Sequence, residues 1–266
     1  MKTIIIKEKN ELLKYKTEIL KLFRDAYGQE LSGILWDWAY IHNPFGNPYV
    51  ALAFDDVLVA HYAVIPYPLS DGAGVRYKSF LSMTTMVAES HRKYGLFTKL
   101  ANAVYDELRI DDADWVMGFP NQMSAPGFRK RLGWKILDPD CVISVDKSML
   151  TKISHLEFSD KEVRLFADLA SQDIRDWRLS KPNTEYVWND GVAYKEFSGH
   201  IDVMYYRFPD DLLRLPDSNA YNILVPRHIV DNENIVAFDY MFGGLSLNKE
   251  FMPSMVRRQM CLSDVF

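Results

Sequence analysis

The run Val87-Ala88-Glu89-Ser90-His91-Arg92-Lys93-Tyr94-Gly95-Leu96-Phe97 decides how the rest of the chain is read. The apolar stretch Phe80-Leu81-Ser82-Met83-Thr84-Thr85-Met86 leads into it, and a helix-like run from Thr98 to Leu108 follows. The order is strand, short basic loop with a glycine, helix. Such a junction aims free backbone N–H groups and the positive end of a helix dipole at one spot, which suits a phosphate or pyrophosphate. Gly95 lets the backbone come close to such a ligand, and Arg92 and Lys93 add positive charge beside it. Taken alone, one glycine in a basic loop equally fits an ordinary strand-to-helix turn.

The bulk numbers set bounds. The 266 residues are 48% apolar and 14% aromatic, enough for a sizeable core in one large domain or two small ones. A net charge of −5 and a pI near 5.7 count against nucleic acid as a partner. Cys141 and Cys261 match neither a metal-ligand spacing nor a disulfide framework, so no metal and a reduced, cytoplasmic setting are expected. The apolar run within Met1 to Lys7 is too short for a signal segment or a membrane span and reads as a first strand.

Periodicity places the remaining elements. Asn10 caps a helix over roughly residues 11–26, and Gly28 ends it. Leu35 to Pro44 reads as a short aromatic helix stopped by proline. Tyr49 to Phe54 and Val57 to Ile65 read as strands around an Asp55-Asp56 turn. Arg76 to Val87 is the long strand that feeds the loop, and Trp115 to Phe119 is a short strand buried on both faces.

A second run follows that strand: Pro120-Asn121-Gln122-Met123-Ser124-Ala125-Pro126-Gly127-Phe128, closing on Gly133-Trp134. Together with Arg92-Lys93-Tyr94-Gly95-Leu96-Phe97 it resembles the GNAT acyltransferases. Their acyl-CoA loop reads Gln/Arg-x-x-Gly-x-Gly/Ala, and their later segment reads Asn-x-x-Ala-x-x-x-Tyr before a short helix and Gly-Phe. The resemblance implies an α/β fold with a mixed sheet and acyl-CoA as co-substrate. It implies that the loop from Arg92 through Phe97 grips the coenzyme, and that pantetheine enters a gap between splayed strands beside Asn121, Ser124 and Phe128. It implies that backbone at Met86 and Val87 holds the thioester carbonyl, and it places Ser124 with the catalytic groups. Two positions depart from the pattern. Phe97 replaces a small residue, and Phe128 replaces the tyrosine that often protonates the departing thiolate. A thiol with a pKa of about 8.5 can leave without that help.

The second half echoes the first. Asp37-Trp38 through Pro44, then Tyr49-Val50, recurs in diluted form as Asp176-Trp177 through Pro182, then Tyr186-Val187. Each copy follows an amphipathic run, Lys161 to Leu169 in the second, and each precedes a strand-turn-strand pattern. The expected architecture is a tandem: a GNAT-like acyl-CoA-binding unit over 1–146, and a degenerate GNAT-like unit over 147–266 that helps wall the acceptor pocket. The second half has no Arg-x-x-Gly loop. Its strand Ile201 to Phe208 runs into Pro209-Asp210-Asp211, whose acids would repel a pyrophosphate, so one acyl-CoA site is expected. The final run, Phe251 to Phe266, is apolar enough to dock on a sheet.

Acyl transfer to an amine needs a neutral nucleophile, a polarised carbonyl and contact between them. His61, His42, Glu89 and Asp37 are the candidates for a base, and His61, on a strand beside the cleft, has the best-suited pKa range. Trp-x-Trp, Asn-Pro-Phe-Gly and the two motifs are together similar to GNAT proteins of bacterial surface-polysaccharide (O-antigen, lipopolysaccharide) pathways. That similarity implies transfer of an acetyl or short hydroxyacyl group to the amine of a dTDP- or UDP-linked amino-deoxy sugar. It leaves Arg76, Arg175, Arg178, Arg207 and Arg227 as candidates for the acceptor's diphosphate, with the chain a monomer or homodimer. Two alternatives stand beside it: a Fem-type aminoacyl transferase, and a non-catalytic, degenerate GNAT binding protein.

Overall fold

A computed structural model describes residues 1–158, 164–230 and 236–263. The chain divides into two compact units: Met1–Pro68 with Tyr77–Lys135 and Gly243–Met252, and Leu69–Arg76 with Ile136–Phe242 and Pro253–Phe266.

The first unit is a mixed sheet in the order Lys2–Ile6, Tyr49–Asp55, Val57–Pro66, Ser79–Val87, Trp115–Gly118, Gly243–Ser246, Lys135–Ile136. Ser79–Val87 runs parallel to Trp115–Gly118, while the pairings on either side of that pair are antiparallel. Val57–Pro66 is buried along nearly its whole length, because the helices Lys16–Tyr27 and Leu96–Ile110 pack on it. The expected seam after residue 146 lies elsewhere. The first unit is left at Lys135, and Gly243–Ser246 rejoins it by pairing residue for residue with Gly118–Trp115. Phe251 then stacks on Trp115 at 5.1 Å.

Local departures from the sequence reading have identifiable causes. The helix expected over 11–26 is two helices, Lys9–Leu12 and Lys16–Tyr27, with a 3₁₀ turn over Leu13–Tyr15. The long strand expected from Arg76 breaks at Lys78, whose N–H donates to the Asp114 carboxylate at 2.8 Å. Within Lys161 to Leu169, residues 161–163 lie outside the described residues, and Leu165–Phe166 is a two-residue strand. Of the final run, residues 264–266 lie outside the described residues, while Met260, Cys261 and Leu262 are buried.

The second unit repeats the strand logic of the first. Its sheet runs Val187–Asn189, Val192–Phe197, His200–Tyr206, Tyr221–Pro226, Asp140–Val145, Val236–Tyr240. Reading from Val187–Asn189, the pairings are antiparallel, antiparallel, parallel, antiparallel. The same succession runs from Tyr49–Asp55 to Gly243–Ser246 in the first unit. The turn of its hairpin, Asp190-Gly191, has positive φ at both residues (37° and 105°), the conformation that matches strand twist.

One part is missing from the copy. A 15-residue helix joins the parallel strands of the first unit, but the 3₁₀ turn Pro209–Arg214 takes that place in the second. There the Asp211 carboxylate accepts the Phe208 N–H at 2.7 Å. An aspartate's own charge thus sits where the first unit offers a basic loop and open helix amides. No described helix is long and apolar enough to cross a membrane.

Candidate functional site

The parallel strands of the first unit part at a defined step. Ser79, Phe80 and Leu81 pair with Trp115, Val116 and Met117, and the pairing ends there. The gap beyond holds a cavity of about 150 Å³, walled by residues 82–85 on one strand and 118–121 on the other. Tyr27, Ser124, Phe128 and Trp134 complete its lining. Apart from the Tyr27 phenol, no lining side chain titrates, so the cavity is polar but uncharged.

A bulge shapes one wall. His61 pairs with Met86, yet Ala63 pairs with Met83, so Ser79–Val87 carries one extra residue between them. Thr84 takes φ of +48°, which a β-branched residue rarely adopts, at a cost on the order of 1–3 kcal/mol. Three side chains hold this backbone. Tyr27 Oη donates to the Thr85 carbonyl at 2.7 Å, and His61 Nδ1 donates to the Thr84 carbonyl at 2.7 Å. The hydroxyls of Tyr40 and Thr84 are hydrogen-bonded to each other.

His61 therefore stands behind the bulge and does not line the cavity. Since a carbonyl only accepts, the bond to Thr84 fixes the proton on Nδ1 and leaves Nε2 as a lone pair. Nε2 is buried and has no partner. Burial pushes the imidazole down to about 4, so it is neutral near pH 7. Met86 and Val87 keep regular register with His61 and Ala60 and do not line the cavity either. The irregular backbone that does line it lies at Thr84 and Thr85, and no feature of the sequence marks a bulge there.

The basic loop is a 3₁₀ turn, Glu89–Tyr94, that ends at Gly95. Gly95 has φ of +67°, and a Cβ there would meet nothing within 4 Å. The dihedral, not crowding, is what calls for glycine. The 15-residue helix Leu96–Ile110 starts at once, and its first N–H groups have no intrahelical acceptor. Arg92, Lys93 and Tyr94 are exposed, while Leu96 is buried beneath the turn. Phe97 points its ring at Phe128, with centroids 5.1 Å apart and planes at 76°.

Asn121 and Ser124 bond to each other reciprocally just ahead of the next helix, Ala125–Leu132. Ser124 N–H donates to Asn121 Oδ1 at 2.9 Å, and Asn121 N–H donates to Ser124 Oγ at 3.1 Å. Among the other base candidates, Asp37 holds Lys16 through both oxygens at 2.7 Å, and Glu89 and His42 are exposed away from the lining. The five arginines considered for a diphosphate all have partners in the second unit. Arg76 grips Asp173, Arg227 pairs with Asp239, Arg175 lies over Trp188 and Arg207 over Phe208. Arg178 is fully buried and donates to the Cys261 carbonyl at 2.6 Å.

Residues 13–137, just under half of the chain, match the family model of the acetyltransferase (GNAT) domain. No curated protein sequence matches the chain. Among solved structures, a probable N-acyltransferase of Enterococcus faecalis V583 superposes with a TM-score of 0.61 at 10% identity, over 93% of this chain and 73% of its own. A GCN5-related N-acetyltransferase from Kribbella flavida gives 0.61 at 14%, over 93% and 72%. A putative acetyltransferase from Pyrococcus horikoshii gives 0.53 at 11%, over 95% and 92%. At these identities the structures speak for the fold alone. Residues 13–137 are thus similar to a GNAT acetyltransferase domain, and the class of protein this likeness points to is the acyl-CoA-dependent N-acyltransferase.

Proposed function

We propose that the protein transfers an acetyl or short (hydroxy)acyl group from acyl-CoA to the amine of a nucleotide-linked amino-deoxy sugar, by direct attack on the thioester. The observation that carries the donor half is the cavity where the Ser79–Val87 and Trp115–Gly118 strands part, next to a helix whose first amides are open and whose preceding turn carries Arg92 and Lys93. Main-chain amides from Gly95 onward hold the coenzyme's diphosphate, and the thioester arm lies in the gap against Ser124, Asn121 and Phe128.

The cavity's chemistry favours a nucleophile that arrives neutral. It has no carboxylate or imidazole to strip an ammonium, so positioning carries most of the acceleration, which can reach roughly 7–11 kcal/mol. A weakly basic amine, as on an amino sugar, meets that requirement near neutral pH. Thr84 and Thr85 supply irregular backbone facing the gap, suited to polarising the carbonyl.

Thermal shift with acetyl-CoA, dTDP- and UDP-amino sugars and RNA, followed by free-thiol release, tests the reading. A shift with acetyl-CoA and amine-dependent thiol release are expected. No shift with any CoA ester rejects it, and a shift with RNA alone favours an aminoacyl-tRNA-type transferase.

A further inference from the structure

Behind the cavity lies a chain of four polar groups. Ser82 lines the cavity, and its Oγ is hydrogen-bonded to the Tyr62 hydroxyl at 3.0 Å. The Tyr62 and Tyr105 hydroxyls are 2.7 Å apart, and Trp134 Nε1 donates to Tyr105 Oη at 3.0 Å. Tyr62 and Tyr105 are 0% and 1% exposed, so water does not reach either phenol. Burial holds both phenols well above their ordinary pKa, and they stay protonated.

A count of hydrogens shows what this chain can do. Three hydroxyls and one indole bring four donor hydrogens, but only three bonds join them. One hydrogen is left over however the bonds are directed. With Ser82 donating to Tyr62, the spare hydrogen sits on a buried phenol, where an unmatched donor costs about 1–3 kcal/mol. If the chain turns over, Tyr105 donates to Tyr62, Tyr62 donates to Ser82, and the spare hydrogen sits on Ser82 facing the cavity. An acceptor in the gap therefore meets a donor and relieves the buried mismatch at once.

We propose that Ser82 is a catalytic hydrogen-bond donor to the departing sulfur, with Tyr62 and Tyr105 as the positioning residues that turn its hydrogen into the cavity. This rests on the acyl-CoA reading above, and it places the donor on a strand rather than at Phe128, which has no hydrogen to give. The amine lone pair forms the C–N bond, the C–S bond breaks and its electron pair goes to sulfur. Ser82 donates a hydrogen bond to the growing thiolate without losing its proton. The thiolate leaves as such, and the ammonium proton of the product-forming step passes to solvent.

The test uses the full chain with acetyl-CoA and the amine that gives the fastest thiol release, comparing Ser82→Ala, Ser82→Thr and Tyr62→Phe. Ser82→Ala is expected to lower kcat about 10- to 100-fold, in the range below that of losing one oxyanion donor. The Kd for CoA, which also reports folding, should change less than about 3-fold. Ser82→Thr should recover kcat to within about 3-fold, and Tyr62→Phe should fall between. If wild type releases thiol and Ser82→Ala matches it in kcat, the donor role is overturned while acyl transfer stands. If Ser82→Thr fails to recover kcat although CoA binds normally, the hydroxyl is not the active feature. If wild type binds no CoA ester, both fall together.

Discussion

The ring of Phe97 lies directly over Gly127: a Cβ added to Gly127 would stand 3.0 Å from Phe97 Cε1. An aromatic residue where the family pattern calls for a small one is thus matched by a glycine on the neighbouring helix. The two positions trade volume across the junction of the helices Leu96–Ile110 and Ala125–Leu132. Gly127→Ala in wild type should destabilise the first unit by about 1 kcal/mol, since the ring is also fixed against Phe128. In a Phe97→Ala background the same change should stabilise, by up to about 1 kcal/mol, because the helix gains a better former and the clash is gone. Urea unfolding of the four variants measures the coupling, and equal effects in both backgrounds would refute it.

His61 makes stability depend on pH in a definite window. Its pKa is near 4 when folded and 6.5 when free, so the unfolded chain takes up the proton first. Its contribution is complete above about pH 6.5 and is lost as pH falls toward 4, on the order of 3 kcal/mol in all. His61→Asn keeps an N–H donor for the Thr84 carbonyl and cannot titrate. That variant should flatten the stability curve between pH 6.5 and 4. Its pH–rate profile should keep the wild-type shape, because His61 does not face the cavity. A lost limb in the rate profile would restore His61 as the base.

Much of this frame was legible from residue types alone, for physical reasons. The strand-loop-helix around Gly95 depends on local dihedrals and a periodic apolar face, and both are written in neighbouring residues. The hairpin at Asp190-Gly191 and the repeat of the strand order were readable for the same reason. What could not be read depends on partners far along the chain. Gly243–Ser246 joins the first sheet across more than a hundred residues, and no local pattern announces that pairing. The bulge at Thr84 is held by Tyr27, Tyr40 and His61 from three separate elements, so its strained backbone looks like ordinary strand sequence. Ser82 has its partners in Tyr62, Tyr105 and Trp134, which lie 20 to more than 50 residues away in the chain, so its place in a polar chain is not written in its neighbours.

The loop charges predict a salt effect. Arg92 and Lys93 are exposed beside the open amides, so their contribution to a bound diphosphate is long-range and screened. Replacing both with alanine should raise the Kd for CoA about 10-fold at low ionic strength and by less at 0.5 M salt. Dephospho-CoA should show much the same loss, since the diphosphate remains. Titration calorimetry at two salt concentrations reads this, and an unchanged Kd at low salt would place the diphosphate elsewhere.

Arg178 offers the sharpest separation between a binding arginine and a structural one. It was a candidate for an acceptor's phosphates, yet it is 0% exposed, with Nε on the Cys261 carbonyl and its guanidinium 5.6 Å from the Tyr186 ring. A buried charge of this kind ties the segment around Cys261 to the helix Gln172–Leu179. Arg178→Ala removes that charge and its bond to the Cys261 carbonyl and leaves a void, so the second unit should lose about 2–5 kcal/mol. Arg178→Lys should recover little, because an ammonium has no planar fork to place an N–H where Nε now donates. Arg207→Ala, at an exposed residue of the same unit, should leave unfolding nearly unchanged. Chemical unfolding of the three variants decides the matter: if Arg178→Ala unfolds like wild type but weakens a nucleotide-sugar acceptor, the arginine belongs to a binding site after all.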